Sequence, residues 1–169
     1  MAEETNHKPY RLGLALSGGG AKGFAHIGVF RMMEECGLKC NAINLRFRDK
    51  YIGGEFGNHE PAISQDAINL CREAADACRK LGGNQMIIWL GFDGFDYSFQ
   101  IDYVSYWNRI VKAFRDVCDY SGVPVSIEYK PYEERVHAFI DSFGTAVSIL
   151  HDVDRENLGV TLDLSLIHI

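Results

Sequence analysis

The chain contains the stretch Val123-Pro124-Val125-Ser126-Ile127-Glu128-Tyr129-Lys130-Pro131, in which a short apolar run passes directly into charged side chains. The segments Trp89-Leu90-Gly91-Phe92-Asp93-Gly94 and Gly159-Val160-Thr161-Leu162-Asp163 have a similar form. Helical patterns separate the three stretches. Strands that alternate with helices indicate a parallel sheet with right-handed crossover connections. We therefore predict an α/β fold.

The element boundaries are predicted from apolar spacing and from residues that begin or end helices. Ser64 is the expected N-cap of the first helix, which Gly82 and Gly83 end. In chain order, we predict a helix over residues 64–81, a strand over 86–90, a helix over 102–120, a strand over 123–127, a helix over 145–153 and a strand over 159–162.

Two of the predicted strands are followed closely by a carboxylate, Glu128 and Asp163. Ligands bind at the carboxyl ends of the strands in parallel sheets and barrels. Carboxylate oxygens at neighbouring strand ends suit a hard divalent cation such as Mg²⁺ or Mn²⁺. The sequence therefore predicts a divalent metal site at this end of the sheet. Asp93 and Asp96 are expected to be loop residues that stabilise turns rather than ligands.

Less specific roles remain open for the same residues. A carboxylate that follows a strand can simply form an ion pair, and Lys130 and Arg135 are the nearby candidate partners of Glu128. Asp163 can cap a following helix. Trp89 can be an ordinary core residue, because a tryptophan on a strand often packs in the interior.

Residues 44–163 resemble the xylose-isomerase-like family of TIM-barrel sugar isomerases and epimerases. The resemblance is carried by Glu128-Tyr129-Lys130-Pro131, which is similar to the family's Glu-x-Lys-Pro signature. It implies that Glu128 and Asp163 bind Mn²⁺ or Mg²⁺, and that Lys130 contacts a sugar oxygen. It also implies aldose–ketose isomerisation or epimerisation of a small-molecule sugar or sugar derivative, in which the metal polarises the carbonyl and hydroxyl oxygens.

The same resemblance places Trp89, Gly91 and Gly94 beside the sugar, as an aromatic wall and a glycine loop. The chain departs from the family pattern at Leu166, where a histidine is expected three positions after the second carboxylate. A full barrel needs about 250 residues and eight strands. We therefore expect a partial, half TIM-type barrel with an incomplete and inactive site.

A half barrel has consequences for packing and association. We expect a parallel sheet of about five strands, rather than the eight of a closed barrel, with helices packed on it and an exposed apolar face. Unpaired strand edges favour pairing with another chain. The sequence therefore predicts self-association through the exposed sheet edges.

An earlier segment, residues 11–43, has the pattern of a strand, a glycine-rich turn and a helix. Backbone amides at such a turn can stabilise an anion at the helix N-terminus. Gly18, Gly20 and Gly23 satisfy a dinucleotide-binding GxGxxG pattern, but Ala42 and Ile43 stand where its acidic ribose ligand is expected. A P-loop is excluded because Lys22 precedes the last glycine.

The stretch from Leu14 to Val29 resembles the opening of patatin-like phospholipases. The resemblance implies an oxyanion-hole-like turn made of Gly18, Gly19, Gly20, Lys22 and Gly23. An alternative function is therefore a patatin-like serine acyl hydrolase. The chain lacks that family's GxSxG nucleophile motif, because no serine has a glycine two positions before it. An oxyanion hole without a nucleophile cannot form an acyl enzyme.

Composition and charge exclude several classes of protein. The 169 residues carry a formal net charge of -6, which argues against a general nucleic-acid binder. No stretch predicts a signal peptide or a transmembrane segment, so we expect a cytoplasmic protein. The 5 cysteines form neither a CxxC pair nor a zinc pattern.

The last six residues, Leu164-Ser165-Leu166-Ile167-His168-Ile169, resemble the translation of a sequencing adapter. The sequence thus divides into a polar tail over 1–10, a patatin-like segment over 11–43, a partial barrel over 44–163 and an artefactual tail over 164–169. The abrupt change near residue 43 has no linker composition. We expect a chimeric or truncated reading frame of metagenomic origin, and a non-catalytic fragment is the third functional alternative.

Overall fold

The structure is a computed structural model that describes Met32, residues 35–37 and residues 39–164. The chain divides into two units, Met1–Leu38 and Lys39–Ile169, and the fold described below belongs to the second. Its elements in chain order are β1 (Ala42–Arg46), a 3₁₀ turn (Asp49–Tyr51), α1 (Pro61–Lys80), β2 (Gln85–Trp89), β3 (Gly94–Phe95), α2 (Tyr103–Ser121), β4 (Val125–Glu128), β5 (His137–Ala138), α3 (Phe143–Val153) and β6 (Leu158–Thr161).

Four strands form a parallel sheet with the order β1-β2-β4-β6. Each neighbouring pair is joined by a helix, the usual crossover connection between parallel strands. The sheet confirms the predicted α/β class and the partial barrel with flanking helices. The described residues contribute four strands to it, where the sequence predicts about five of the eight in a full barrel. Within these residues β1 and β6 form its edges, and self-association through them stays a prediction.

One face of the sheet is buried under the helices. Met86 and Ile88 of β2 and Ile127 of β4 are completely buried and pack with Phe114 of α2 in one hydrophobic core. Because side chains alternate along a strand, the intervening residues point to the opposite face. A row of paired residues across that face reads Arg46, Trp89, Glu128 and Thr161.

The helix termini explain where the predicted boundaries hold and where they fail. Asp102 caps α2 by accepting hydrogen bonds from the backbone amides of Val104 and Ser105, and Ser142 caps α3. The prediction that Ser64 caps α1 is wrong, because that helix begins at Pro61, which suits the first turn. The Ser64 hydroxyl instead donates to the Phe56 carbonyl at 3.0 Å.

Three strands were not anticipated from the sequence. β1 pairs in parallel with β2 from Ala42 onward, so the predicted segment boundary between residues 43 and 44 falls inside a strand. β3 and β5 form a short antiparallel ribbon in which Gly94 pairs with Ala138. This ribbon places the loop after β2 against the loop after β4.

No helix among the described residues combines the length and the apolar character that crossing a bilayer requires.

Candidate functional site

Glu128 is the last residue of β4 and is only 9% exposed. Its Oε2 accepts a hydrogen bond of 3.1 Å from the Asn44 side-chain amide. Asn44 lies on β1, so this contact crosses β2 on the face opposite the helices. The bond fixes the orientation of a carboxylate that would otherwise lose hydration without compensation.

The two alternative ion-pair partners of Glu128 are engaged elsewhere. Lys130 Nζ pairs with Glu133 at 2.7 Å, and Arg135 pairs with Asp96 at 3.0 Å. Neither is found paired with Glu128 among the described residues. The position of Glu128 is therefore set by the strand and by Asn44 rather than by a salt bridge.

Trp89 is half-buried at the end of β2 and faces two cations. Lys130 Nζ lies 4.5 Å from the ring centroid, and the Arg46 guanidinium lies 5.0 Å from it. Arg46 also pairs with Glu134 at 3.1 Å. Cations over an indole face are attracted by its quadrupole. The structure thus brings together Trp89 and Lys130, which the family resemblance assigns to the sugar site.

Asp163 follows β6 by two residues and is partly exposed. The same strand ends at Thr161, which pairs with Glu128 in the sheet. The Thr161 hydroxyl also lies 2.6 Å from that of Ser126. Asp163 therefore follows the strand adjacent to that of Glu128, as predicted from the order of the elements. Its role as a metal ligand stays a prediction.

The two glycines predicted to border the sugar have different surroundings. A Cβ on Gly91 would lie 3.1 Å from the Trp89 ring, so this glycine allows the indole to pack closely against the backbone. A Cβ on Gly94 would lie 2.2 Å from the His137 carbonyl oxygen. Gly94 is thus required by the β3–β5 ribbon, whatever its relation to a sugar.

A second pair of carboxylates, Glu55 and Asp93, lies completely buried in the loops after β1 and β2. Asp93 accepts hydrogen bonds from the backbone amides of Glu55, Phe56 and Gly57 at 2.9–3.0 Å, and from the Tyr106 hydroxyl at 2.7 Å. These contacts confirm Asp93 as a loop-stabilising residue. Sequence reasoning missed Glu55, because no local pattern marks a buried loop carboxylate.

Burial gives this pair unusual proton affinities. Burial, and then the charge of Asp93, raises the pKa of Glu55 to about 9. Burial also raises the pKa of Asp93, but the hydrogen bonds from Tyr106 and the three amides oppose that change. Because Asp93 is the better-stabilised anion, we assign the proton of the pair to Glu55 near neutral pH.

Few of the described side chains are placed to coordinate a metal ion. Across residues 39–164 and the few described before them, no group of three or more His, Cys, Asp or Glu side chains is placed to hold a metal ion. Glu128 and Asp163 have the oxygen chemistry that Mn²⁺ or Mg²⁺ prefers. They would supply part of a coordination shell rather than a whole one.

Several predicted positions lie outside the described residues. They are the oxyanion-hole-like turn (Gly18, Gly19, Gly20, Lys22 and Gly23) and residues 165–169 of the predicted artefactual tail. The polar tail over residues 1–10 lies there as well.

The parallel sheet, its crossover helices and a carboxylate at a strand end define a partial barrel of the TIM type with ligand-binding potential at the strand ends. A model of the xylose isomerase-like TIM barrel family matches residues 29–169. The chain therefore belongs to this family, as the Glu-x-Lys-Pro motif predicts. The matched range includes residues 29–43, predicted to be patatin-like, and residues 164–169, predicted to be an artefactual tail. The separate origin of these two segments therefore gains no support and stays a prediction.

Relatives share a modest fraction of the sequence. The xylose isomerase of Paraburkholderia phytofirmans is 28% identical over 135 residues, which cover 75% of this chain and 31% of that protein. The xylose isomerase of Brucella canis is 25% identical over the same length. The chain thus spans about a third of the length of the curated relatives it matches.

Solved structures show the same fold. D-allulose 3-epimerase from Methylomonas sp., solved in complex with D-allulose, has a TM-score of 0.66 at 20% identity. The alignment covers 83% of this chain and 47% of that one. The IolI protein, solved with a zinc atom, has a TM-score of 0.65 at 17% identity, covering 88% of this chain and 51% of that one. The match to about half of each structure agrees with a partial barrel.

Proposed function

We propose that residues 39–164 form part of the active site of a divalent-metal-dependent sugar isomerase or epimerase. The observation that carries the proposal is Glu128, a nearly buried carboxylate that ends a central parallel strand and is held by Asn44. Strand ends of this kind are where TIM barrels place catalytic groups.

In this proposal Glu128 and Asp163 each contribute carboxylate oxygen to a metal ion, and Asn44 keeps the Glu128 carboxylate oriented. A bound Mn²⁺ or Mg²⁺ supplies Lewis-acid polarisation of neighbouring carbonyl and hydroxyl oxygens. Mutation of a group that orients a ligand typically weakens metal binding by about 10–100-fold. We therefore expect substitution of Asn44 to affect binding as well, though less than loss of the carboxylate.

The substrate in this proposal is a small sugar or sugar derivative that lies against Trp89 and Lys130. The indole offers an apolar surface to the C–H groups of a sugar, and the Lys130 ammonium can donate a hydrogen bond to a sugar oxygen. Lys130 is already positioned by Glu133 and by the Trp89 ring, so little ordering would be required on binding. Similarity to xylose isomerases in sequence, and to a D-allulose 3-epimerase in fold, supports this class of substrate.

The two carboxylates form a partial metal site, so we expect the chain by itself to bind Mn²⁺ weakly and to lack isomerase activity. Weak binding is measurable by titrating Mn²⁺ and following the electron paramagnetic resonance of the free ion. Glu128→Gln and Asp163→Asn each remove one charge at the proposed site and should weaken Mn²⁺ binding at least about tenfold.

Glu156→Gln is the matched control. Glu156 is exposed and precedes β6, at the opposite end of the sheet from Glu128, and its replacement changes the net charge equally. Circular dichroism verifies that each variant is folded. If all variants bind Mn²⁺ like the unmodified chain, or if the chain binds none, the proposed metal site is wrong.

A further inference from the structure

A cavity of about 490 Å³ lies between the loop after β1, the start of α2 and the β3–β5 ribbon. Two cationic side chains that can bind an anion, Arg109 and Arg135, form part of its wall. Three polar side chains that can donate hydrogen bonds also line it: His59, Gln100 and Ser105. Trp89, Glu128 and Lys130 do not line it, and Gly94 is the one residue that it shares with those predicted to border the sugar. The cavity is therefore distinct from the site around Trp89, Glu128 and Lys130, apart from this shared glycine.

Arg135 is held rigidly in the wall of the cavity, with 13% of its side chain exposed. One terminal nitrogen donates to the Ile52 carbonyl at 3.0 Å, and the other pairs with Asp96 at 3.0 Å. Its Nε is buried and has no hydrogen-bond partner among the residues that the structure describes. Because this nitrogen is not exposed to the cavity, the donors that Arg135 offers a ligand are the second N–H groups of its two terminal nitrogens.

Arg109 supplies a second guanidinium to the same cavity. Its Nε donates to the Gly57 carbonyl at 2.9 Å, and its guanidinium lies 5.3 Å from the centre of the Tyr106 ring. Within the described part of the chain, no hydrogen bond is found for its two terminal nitrogens. The group is thus anchored at one atom while its terminal donors remain available.

The carboxylates near the cavity are already engaged. Asp102 accepts hydrogen bonds from the amides of Val104 and Ser105 at the start of α2, and Asp96 pairs with Arg135. Guanidinium groups bind phosphate through paired, charge-assisted hydrogen bonds. The charge of Asp102, which lines the cavity, opposes an anion and should limit the affinity to the millimolar range.

We propose that this cavity binds a phosphate group through Arg135 and Arg109. The group is either a free phosphate ion or the phosphate of a small molecule such as a sugar phosphate. The site needs no metal ion and is independent of the function proposed for Glu128. Its test is therefore performed in EDTA, where failure of the phosphate site and failure of the metal site are distinguishable.

The direct test follows the arginine Nε–H signals of the full chain by NMR during titration with inorganic phosphate at neutral pH. Sodium chloride at equal ionic strength is the reference. We expect saturable shifts of the Arg135 and Arg109 signals with phosphate and none with chloride. Equal responses to the two salts, or shifts that never saturate, would overturn the proposal without reference to any variant.

Three variants locate the site. Arg109→Gln and Arg135→Lys should each weaken phosphate binding at least about tenfold, since the first removes a charge and the second replaces a planar fork of donors with a single ammonium. Arg72→Gln is the matched control, because the Arg72 Nε is also buried and unpaired among the described residues, yet Arg72 does not line the cavity. A loss in Arg72→Gln equal to that in the other two would contradict the assignment.

A hexose 6-phosphate distinguishes the two sources of the phosphate group. Binding tighter than that of inorganic phosphate, and sensitive to Arg109→Gln, assigns the cavity to phosphorylated small molecules. Equal binding of the two assigns it to the phosphate group alone. Binding of neither compound refutes the site.

Discussion

Two pairs of acidic residues lie at the carboxyl ends of the strands in opposite surroundings. Asp93 and Glu55 are fully buried in loops, and Asp93 accepts hydrogen bonds from three backbone amides and one hydroxyl. Glu128 and Asp163 belong to the ends of β4 and β6, where Glu128 is held by the Asn44 side chain. The first pair stabilises the loops, and the second is the pair that we propose to bind a metal ion.

Glu128 and Asp93 are both buried, so it is their hydrogen-bond partners and not their burial that distinguish the proposed ligand from the structural carboxylate. Backbone amides that saturate an acidic side chain remove it from ligand chemistry, because any ligand would have to compete with fixed donors. A carboxylate with one side-chain partner keeps acceptor positions for a cation. Substitutions in and around the two pairs test this contrast between a structural pair and a proposed ligand pair, and the largest expected effect is that of Asp93.

Asp93→Ala should give the largest loss of stability. It leaves three buried amides and the Tyr106 hydroxyl without their acceptor, and each unsatisfied group costs about 1–3 kcal/mol. We expect the free energy of unfolding in urea to fall by at least about 3 kcal/mol. Asp49→Ala, at an exposed aspartate, is the control and should change it by less than about 1 kcal/mol. Similar effects of the two substitutions would remove the distinction.

The pH dependence of stability should follow Glu55. Its pKa in the folded protein is about 9, above the ordinary 4.5, so the folded state retains a proton that the unfolded chain releases between these values. Stability is therefore highest at the acidic end of this window and falls as the pH rises. A fully linked proton corresponds to about 1.4 kcal/mol per pH unit, so the expected fall is about 2–3 kcal/mol between pH 6 and 8.

Glu55→Gln replaces the protonated acid with a neutral side chain of similar shape and should flatten that dependence. Urea unfolding at several pH values measures the slope, with Glu156→Gln as the exposed control. A slope in Glu55→Gln equal to that of the unmodified chain would show that Glu55 is not the proton carrier.

Gly94→Ala separates a structural glycine from a substrate-lining one. The added Cβ would lie 2.2 Å from the His137 carbonyl oxygen, so the β3–β5 ribbon must shift. We expect a loss of about 1–2 kcal/mol in the free energy of unfolding. Gly159→Ala is the control, since its Cβ would meet nothing closer than 4.0 Å. Full stability of Gly94→Ala would mean that the ribbon is not a fixed part of the fold.

Glu128→Gln should have the smallest effect on stability, less than about 1 kcal/mol, because only the hydrogen bond from Asn44 is altered. The same substitution is expected to abolish measurable Mn²⁺ binding. The stability and the Mn²⁺ binding of this one variant together distinguish a ligand-binding carboxylate from a structural one. A stability loss as large as that of Asp93→Ala would place Glu128 among the structural carboxylates.

Much of the fold is predictable because its signals are local. β2, β4 and β6 contain apolar runs, and the N-cap of α2 at Asp102 lies where the sequence predicts the start of that helix. The first strand is not predictable in this way, because the exposed Asn44 and Arg46 interrupt its apolar pattern. The two-residue ribbon strands also carry no local signal, since they form only when distant loops meet.

The residues of the candidate site also differ in whether a local sequence signal identifies them. Glu128 and Lys130 are identified by a sequence motif at a strand end, and Trp89 by its position on the neighbouring strand. Asn44 and Glu55 act through contacts with residues far away in sequence. Their roles follow from strand order and loop packing, which no single stretch of sequence encodes.

The most direct test of the contrast uses Mn²⁺ as a paramagnetic probe in the NMR spectrum of the full chain. Bound Mn²⁺ broadens the signals of nearby amides, so it reports which acidic pair it meets. We expect the strongest broadening near Glu128 and Asp163, its loss in Glu128→Gln, and unaffected signals around Glu55 and Asp93. Broadening centred on Glu55 and Asp93, or spread evenly over the exposed carboxylates, would contradict the account.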